Sequence, residues 1–412
     1  MNAPLSPQAT EIFAPIGRRD PAFLRIVVAF FLGGFATFAL LYCVQPLLPV
    51  FAREFSLTPA GASFSLSIPT LVMAPAMIAA GSVSDAFGRK RVMVVSLTAA
   101  ALATVAASLA SDWKTFLALR ALTGLALSGL PAVAMAYLAD ELEASALGFA
   151  MGLYIAGSTL GGLFGRLVVA IVADYWNWRV AMLTIAAESL AGALFLAVAL
   201  PRERTFERRA PDLRGFVRTI REHFSDPGLR LLFAAGFLAL GSFVCTYNYI
   251  GFRLAAPPFS FSPTTIGFVF VLYLVGAVSS TVMGELAGRF GRRRVIWIAA
   301  LIELVGVAVT LPDNIFAVIV GVALITWGFF GVHSIASSWV GLRAPTGRAQ
   351  ATALYLFFYY LGSTVAGSAG GWFFLHWGWP GVAAFLGVMV LAALWVALKL
   401  SKVPPPRHLQ KT

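Results

Sequence analysis

The chain has 412 residues, of which 59% are hydrophobic and only 12% charged, and its mean hydropathy is +0.84. Water-soluble globular chains lie far from these values, and about twelve membrane crossings of roughly 20 residues each use nearly the whole length, which excludes a large soluble domain. The formal charge of +12 comes from basic residues that punctuate apolar runs, the pattern of membrane topology signals and not of a nucleic-acid face.

Residues 1–24 read as a cytoplasmic tail, because Met1 to Asp20 lacks the apolar core and cleavage site of a secretory signal. Apolar stretches follow at about 25–49, 61–83, 92–110, 116–138, 147–171 and 178–200. They make a first six-helix bundle over 25–200. The segment 201–230 is the one long internal loop, where Leu213, Phe216, Val217, Ile220 and Phe224 recur at helical spacing between arginines. It reads either as an amphipathic helix on an anionic leaflet or as a solvated linker. Six more stretches, at about 231–253, 265–287, 295–311, 316–339, 351–374 and 381–400, make a second bundle over 231–400, ahead of a C-terminal tail over 401–412. The expected fold class is an all-α membrane protein of twelve transmembrane helices in two pseudo-symmetric bundles.

With the N-terminus inside, 24 of the 30 Lys and Arg fall in tails and inward loops. Arg53, Lys114, Arg179 and Arg253 sit near the outer surface, and Arg120 and Arg166 lie within spans. This asymmetry predicts both termini in the cytoplasm. Cys43 and Cys245 both fall inside apolar spans and read as packing residues, with no disulfide framework or metal spacing.

Internal similarity is the most informative pattern. Gly81-Ser-Val-Ser-Asp85-Ala-Phe-Gly88-Arg89-Lys90-Arg91 is echoed 203 residues later by Gly284-Glu-Leu-Ala-Gly288-Arg-Phe-Gly291-Arg292-Arg293-Arg294. Gly157-Ser158-Thr159 recurs at Gly362-Ser363-Thr364, and Trp176-Asn-Trp178 at Trp377-Gly-Trp379, at offsets of 205 and 201. Three offsets this close indicate duplication of a six-helix unit, with a site expected between the halves near the midplane.

The loop from Gly81 to Arg91 resembles the signature between the second and third helices of the major facilitator superfamily. Arg120 with Gly124 resembles its second motif, and Gly148, Gly157, Gly161 and Gly165 match the glycine spacing of its antiporter motif. The stretches Leu41 to Pro49, Met151 to Leu167 and His333 to Trp339 are similar to bacterial inner-membrane carriers of the acriflavine-sensitivity branch. The resemblance implies a multi-pass inner-membrane exporter driven by proton entry. Three positions depart from the pattern: Ala86 stands where an arginine is usual, Gly162 where a proline is expected, and Arg166 where the last glycine is expected.

The residues suggest four groups of roles. A conformational latch is expected from Gly81, Asp85, Gly88, Arg89, Lys90 and Arg91, with Gly284, Gly291 and Arg292 in the second copy; an anion beside a helix N-terminus is stabilised, and the resemblance implies the helix starting near Ala351 as partner. Arg120 and Arg166 are cations in hydrocarbon, which must face the interior, water or a partner; with His333, able to change charge near neutral pH, they are the coupling candidates. For the two arginines the functional readings are shaping an aqueous path, holding an anionic substrate or biasing a proton site, and the structural alternative is a contact to a carbonyl, Tyr or Asp near the outer surface. For His333 the alternatives to proton carriage are a substrate contact and a structural hydrogen bond. Tyr42, Gln45, Tyr247, Asn248, Tyr359 and Tyr360 are the substrate-cavity candidates, since aromatic rings with polar tips suit amphipathic ligands. Gly148, Gly157, Gly161 and Gly165 are read as helix-packing glycines. Among carboxylates, Glu188 and Glu303 read as neutral, paired or lipid-adjacent groups with proton carriage as the alternative, and Glu285 as an interface charge.

The expected function is secondary active transport by alternating access, with proton-coupled efflux of small amphipathic drugs or metabolites. A proton-coupled importer of a sugar or organic acid is the rival, and a non-transporting receptor the reading of another class. No catalytic constellation, metal motif or phosphate-binding loop is present, so an enzyme is not expected and no cofactor is implied. The expected partners are the lipid bilayer, a small-molecule substrate and protons, on a monomer.

Overall fold

The computed structural model describes residues 15–201, 203, 213–344 and 346–404. The first 14 residues of the expected N-terminal tail, most of 202–212 and the end of the C-terminal tail lie outside them. Fifteen α-helices carry the described chain: α1 (Pro21–Tyr42), α2 (Leu48–Glu54), α3 (Pro59–Phe87), α4 (Arg89–Ser108), α5 (Trp113–Leu127), α6 (Gly129–Glu141), α7 (Ala144–Tyr175), α8 (Trp178–Ala199), α9 (Leu213–Ser225), α10 (Pro227–Ala255), α11 (Pro263–Gly267), α12 (Tyr273–Phe290), α13 (Arg292–Val309), α14 (Ile315–Arg343) and α15 (Arg348–Lys402).

Ten continuous apolar stretches are long enough to cross a membrane, and two local features bring the crossings to twelve. Gly378 adopts φ 58°, ψ −148° inside α15, with Pro380 behind it, so that helix is two antiparallel limbs joined by a tight turn. The 18-residue α13 opens on Arg292, Arg293 and Arg294 and holds Glu303, which lowers its apolar character without shortening it below a crossing. Several crossings are broken: α1 and α2 form one, α5 and α6 another, and α11 and α12 a third, with a 3₁₀ segment, Phe268–Leu272, inside it. With twelve crossings, both chain ends emerge on one side, called here the terminal end, and the loops after α2 and α10 lie at the far end.

The duplication extends to backbone detail. Gly88 and Gly291 stand at φ 94° and 88° between α3 and α4 and between α12 and α13, a region that favours glycine. At the far end, Ser56 and Ser260 share φ 51°, and Thr58 and Ser262 cap the next helices through their side chains, ahead of Pro59 and Pro263. This fourth echo, Ser56-Leu-Thr-Pro59 with Ser260-Phe-Ser-Pro263, is visible in the sequence at an offset of 204 residues.

Three of the four glycines stand where two helices approach closely. A Cβ on Gly157 or Gly161 would fall on the Phe31 or Phe35 carbonyl, and one on Gly165 would lie 2.7 Å from the Ala39 Cα. Glycines four apart on α7 thus meet residues four apart on α1, and the backbones touch. The second half repeats the crossing, with Gly362 against the Phe237 carbonyl of α10. Gly148 is the correction: an added Cβ there meets nothing within 4 Å, because this end of α7 faces open space.

The internal loop resolves into the helix α9. Phe224 packs on Phe233 of α10 and Phe358 of α15 at ring separations of 5.9 and 6.0 Å, and buried His223 lies 3.2 Å from the Gly347 carbonyl. Part of the apolar face therefore rests on protein. Asp226 caps α10 through the Leu229 N–H and pairs with Arg343 at 2.5 Å, which starts the helix at Pro227, four residues before the expected span.

Candidate functional site

Arg120 is fully buried, and its guanidinium ends on three backbone carbonyls: Nε on Ser65 at 3.0 Å, Nη1 on Leu40 at 3.1 Å and Nη2 on Leu41 at 2.8 Å. All three carbonyls are the debris of broken helices. α1 stops at Tyr42 ahead of Pro46, leaving Leu40 and Leu41 without their usual helical partners, and Pro69 has no N–H for Ser65, four residues earlier. Gly124, one turn beyond Arg120, explains the reach, since a Cβ there would fall on the Pro69 carbonyl. Of the readings open for Arg120, this geometry is the carbonyl contact. The cation completes a helix end inside the membrane.

Arg166 is buried to the same degree but differently bonded. Its Nε donates to Gln45 Oε1 at 2.6 Å and Nη1 to the Gly162 carbonyl at 2.5 Å, while Nη2 makes no hydrogen bond among the described residues. The guanidinium carbon lies 4.1 Å from the Tyr42 ring centre, 4.5 Å from Tyr273 and 5.3 Å from Phe270. These are cation–π distances. Tyr42 belongs to the first half and the other two rings to the second, so the cage exists only where the halves meet. The 3₁₀ turn places Phe270 and Tyr273, three residues apart, on one face. Two departures from the family motif are here one device: a Cβ on Gly162 would lie 3.2 Å from Arg166 Nη1, so the glycine at 162 leaves room for the arginine at 166.

Gln45 passes the contact across the interface. Its Nε2 donates to Asn248 Oδ1 at 2.8 Å, and Asn248 Nδ2 reaches the Gly367 carbonyl at 3.5 Å, which Tyr249 also donates to at 2.5 Å. From Tyr273 a run of ring contacts continues through Tyr247 at 4.8 Å, Phe243 at 4.9 Å, Phe329 at 3.9 Å, His333 at 5.9 Å and Tyr359 at 4.6 Å, with Tyr360 5.3 Å beyond. The Tyr247 hydroxyl bonds to Thr326 at 2.9 Å, and His333 Nδ1 lies 2.9 Å from the Tyr355 hydroxyl. All six expected cavity residues join one network. Tyr359 and His333 are half-buried, and Tyr42, Gln45, Tyr247, Asn248 and Tyr360 are buried. Sequence reasoning missed Phe270, Tyr273, Phe243 and Thr326; the aromatic spacing at Phe268, Phe270 and Tyr273 was the only signal for the first two, and the other two had none.

The remaining expected residues fall elsewhere. Glu303 on α13 accepts from the Ser242 hydroxyl at 2.5 Å and leaves its second oxygen buried without a hydrogen-bond partner. Glu188 lies 3.2 Å from Ser189 Oγ, and Glu285 pairs with Arg289 at 2.5 Å. At the terminal end Arg89 links Asp85, 4.0 Å away, to Asp140. The charged partner of Asp85 among the described residues is Arg89. Lys90 donates through Nζ to the Leu200 carbonyl, and its backbone N–H donates to Glu203 at 2.6 Å. Glu203 therefore covers the positive N-terminus of α4, a role the sequence did not signal. Gly81, Gly284 and Gly291 each face open space, and Arg292 begins α13.

The model of the Major Facilitator Superfamily matches this chain twice, over residues 30–256 and 238–412, one match for each half. The chain belongs to the major facilitator superfamily. It is 44% identical to the inner membrane transport protein YnfM of Escherichia coli over 94% of this chain and 93% of that one. It is 42% identical to the uncharacterized MFS-type transporter YybF of Bacillus subtilis over 95% and 98%. A solved bacterial homologue of the human lysosomal transporter Spinster, in an inward-facing and unoccupied conformation, shares the fold with TM-score 0.76 over 93% of this chain and 98% of that one, at 15% identity. This major facilitator protein is thus a secondary transporter of the bacterial inner membrane, and not an enzyme.

Proposed function

We propose that the transporter exports small amphipathic drugs or metabolites in exchange for protons by alternating access, with both termini in the cytoplasm. The observation that carries this reading is a one-sided seam. Toward the far end the halves are joined by Gln45 with Asn248, Ser67 with Thr364 and Ser368, Thr70 with Thr364, and Asp174 with the Thr264 N–H. At the terminal end Gly81 and Gly148 of the first half and Gly284 and Gly341 of the second face open space. A seam bonded on one side of a central site, with glycines facing open space toward the other, supports one of the two states that alternating access requires.

Proton coupling is supported by two titratable side chains in the second half whose hydrogen-bond partners among the described residues are neutral, His333 on Tyr355 and Glu303 on Ser242. The basic loops at the terminal end support its placement in the cytoplasm. The test is reconstitution into vesicles holding a pH-sensitive dye, with a substrate panel added on one side. Substrate flux with proton movement of opposite sign is the expected result. Proton movement in the same direction overturns export in favour of import, and ligand binding without flux overturns transport.

A further inference from the structure

Resting on that transport reading, we propose that the substrate is a small organic anion with a planar aromatic body, whose carboxylate pairs with Arg166 at the junction of the two halves. Arg166 has no ion pair among the described residues; its bonded partners, the Gln45 amide and the Gly162 carbonyl, are neutral. In Arg120, by contrast, each of the three guanidinium nitrogens bonds a carbonyl. Arg166 thus combines burial, no ion pair and a nitrogen, Nη2, that bonds nothing among the described residues. A cation in hydrocarbon without a counter-ion is costly, and a charge-assisted bond from a guanidinium to a carboxylate is among the stronger ones available.

The surroundings decide the rest of the ligand. Among the described residues the carboxyl groups away from the span ends are Glu188 and Glu303, bonded to Ser189 and Ser242, and Asp174 on α7 accepts from the Thr264 N–H; none pairs with Arg166, so no described acidic group stands in the cage to receive a cationic ligand. A ligand cation would meet the guanidinium itself. The rings from Tyr273 to Tyr359 offer stacking faces along the way from Arg166 into the second half, which suits a flat apolar body.

The test uses three probes that share one ring system and differ in charge: 2-naphthoate, 2-naphthamide and 2-naphthylmethylammonium, titrated calorimetrically into the purified full-length protein. The expected order is acid over amide by roughly tenfold or more, with no measurable binding of the ammonium. Equal affinity for acid and amide, preference for the ammonium, or no binding of the acid at millimolar concentration overturns the inference. Arg166→Gln removes the preference for the acid, and Gly162→Ala, which crowds Nη1, weakens the acid and spares the amide; the ladder on the native protein stands even where a variant fails to fold. Flux in vesicles without acid-over-amide preference sinks the anion inference alone. Anion binding without flux sinks the transport reading alone.

Discussion

Replacing Gly161 by alanine tests the crossing of α1 and α7 against an internal control. The new methyl group falls on the Phe35 carbonyl, an atom that cannot rotate away, so the two helices must separate along their seam. Overpacking of this kind costs about 1–3 kcal/mol, offset by about 0.5–1 kcal/mol gained when alanine replaces glycine in a helix, for a net loss of up to about 2.5 kcal/mol. Gly148→Ala meets nothing within 4 Å and keeps only the helical gain, about 0.5–1 kcal/mol. Cys43 and Cys245 are both free and fully buried, so a thiol-reactive fluorophore reads unfolding directly in a temperature ramp. Gly161→Ala is expected to label at lower temperature than the native chain, and Gly148→Ala at equal or higher temperature. Equal shifts for the two variants, or a Gly161→Ala protein as resistant as the native one, would refute the close backbone contact.

Arg120→Lys retains the charge but cannot span the carbonyls of Ser65, Leu40 and Leu41 together; losing two charge-assisted bonds predicts a destabilisation of roughly 3 kcal/mol, read in the same labelling ramp, with the ligand charge preference unchanged. A variant as stable as the native protein would remove Arg120 from its place as a clamp. Ser67 and Ser368 face each other with hydroxyls 3.0 Å apart across the seam, so Ser67→Cys with Ser368→Cys is expected to form a disulfide that stops transport until a reductant is added. Full transport by the oxidised double variant would show that this seam does not open in the cycle.

Much of the architecture was legible in the chain because the lipid allows few solutions. Apolar runs of membrane length, basic loops between them and the echo of Gly81–Arg91 in Gly284–Arg294 each report a local property: hydrophobic length, charge, and a glycine at positive φ ahead of a basic helix start. The six cavity residues were chosen as polar-tipped aromatics and amides on particular helices, and they do share one network. Their partners were not readable, since Phe270 and Tyr273 face Arg166 only because a 3₁₀ turn aligns them. Gly148 shows the opposite failure. It has the spacing of a packing glycine, yet packing needs a neighbour, and none stands there.

Sequence by itself determined the class, the number of crossings and the duplication, because in a bilayer backbone groups must be bonded within the protein, which an apolar run achieves by becoming one helical crossing. It also exposed Arg120 and Arg166 as two cations in the wrong solvent. Only the tertiary structure distinguished them. Arg120 meets carbonyls freed by the end of α1 and by Pro69, so its charge is consumed in holding the first half together. Arg166 meets a neutral amide and three ring faces drawn from both halves, so its charge remains available at the interface. Two side chains of one type in consecutive crossings thus have different duties, because the breaks and close approaches that surround each one arise from contacts between segments far apart in the chain.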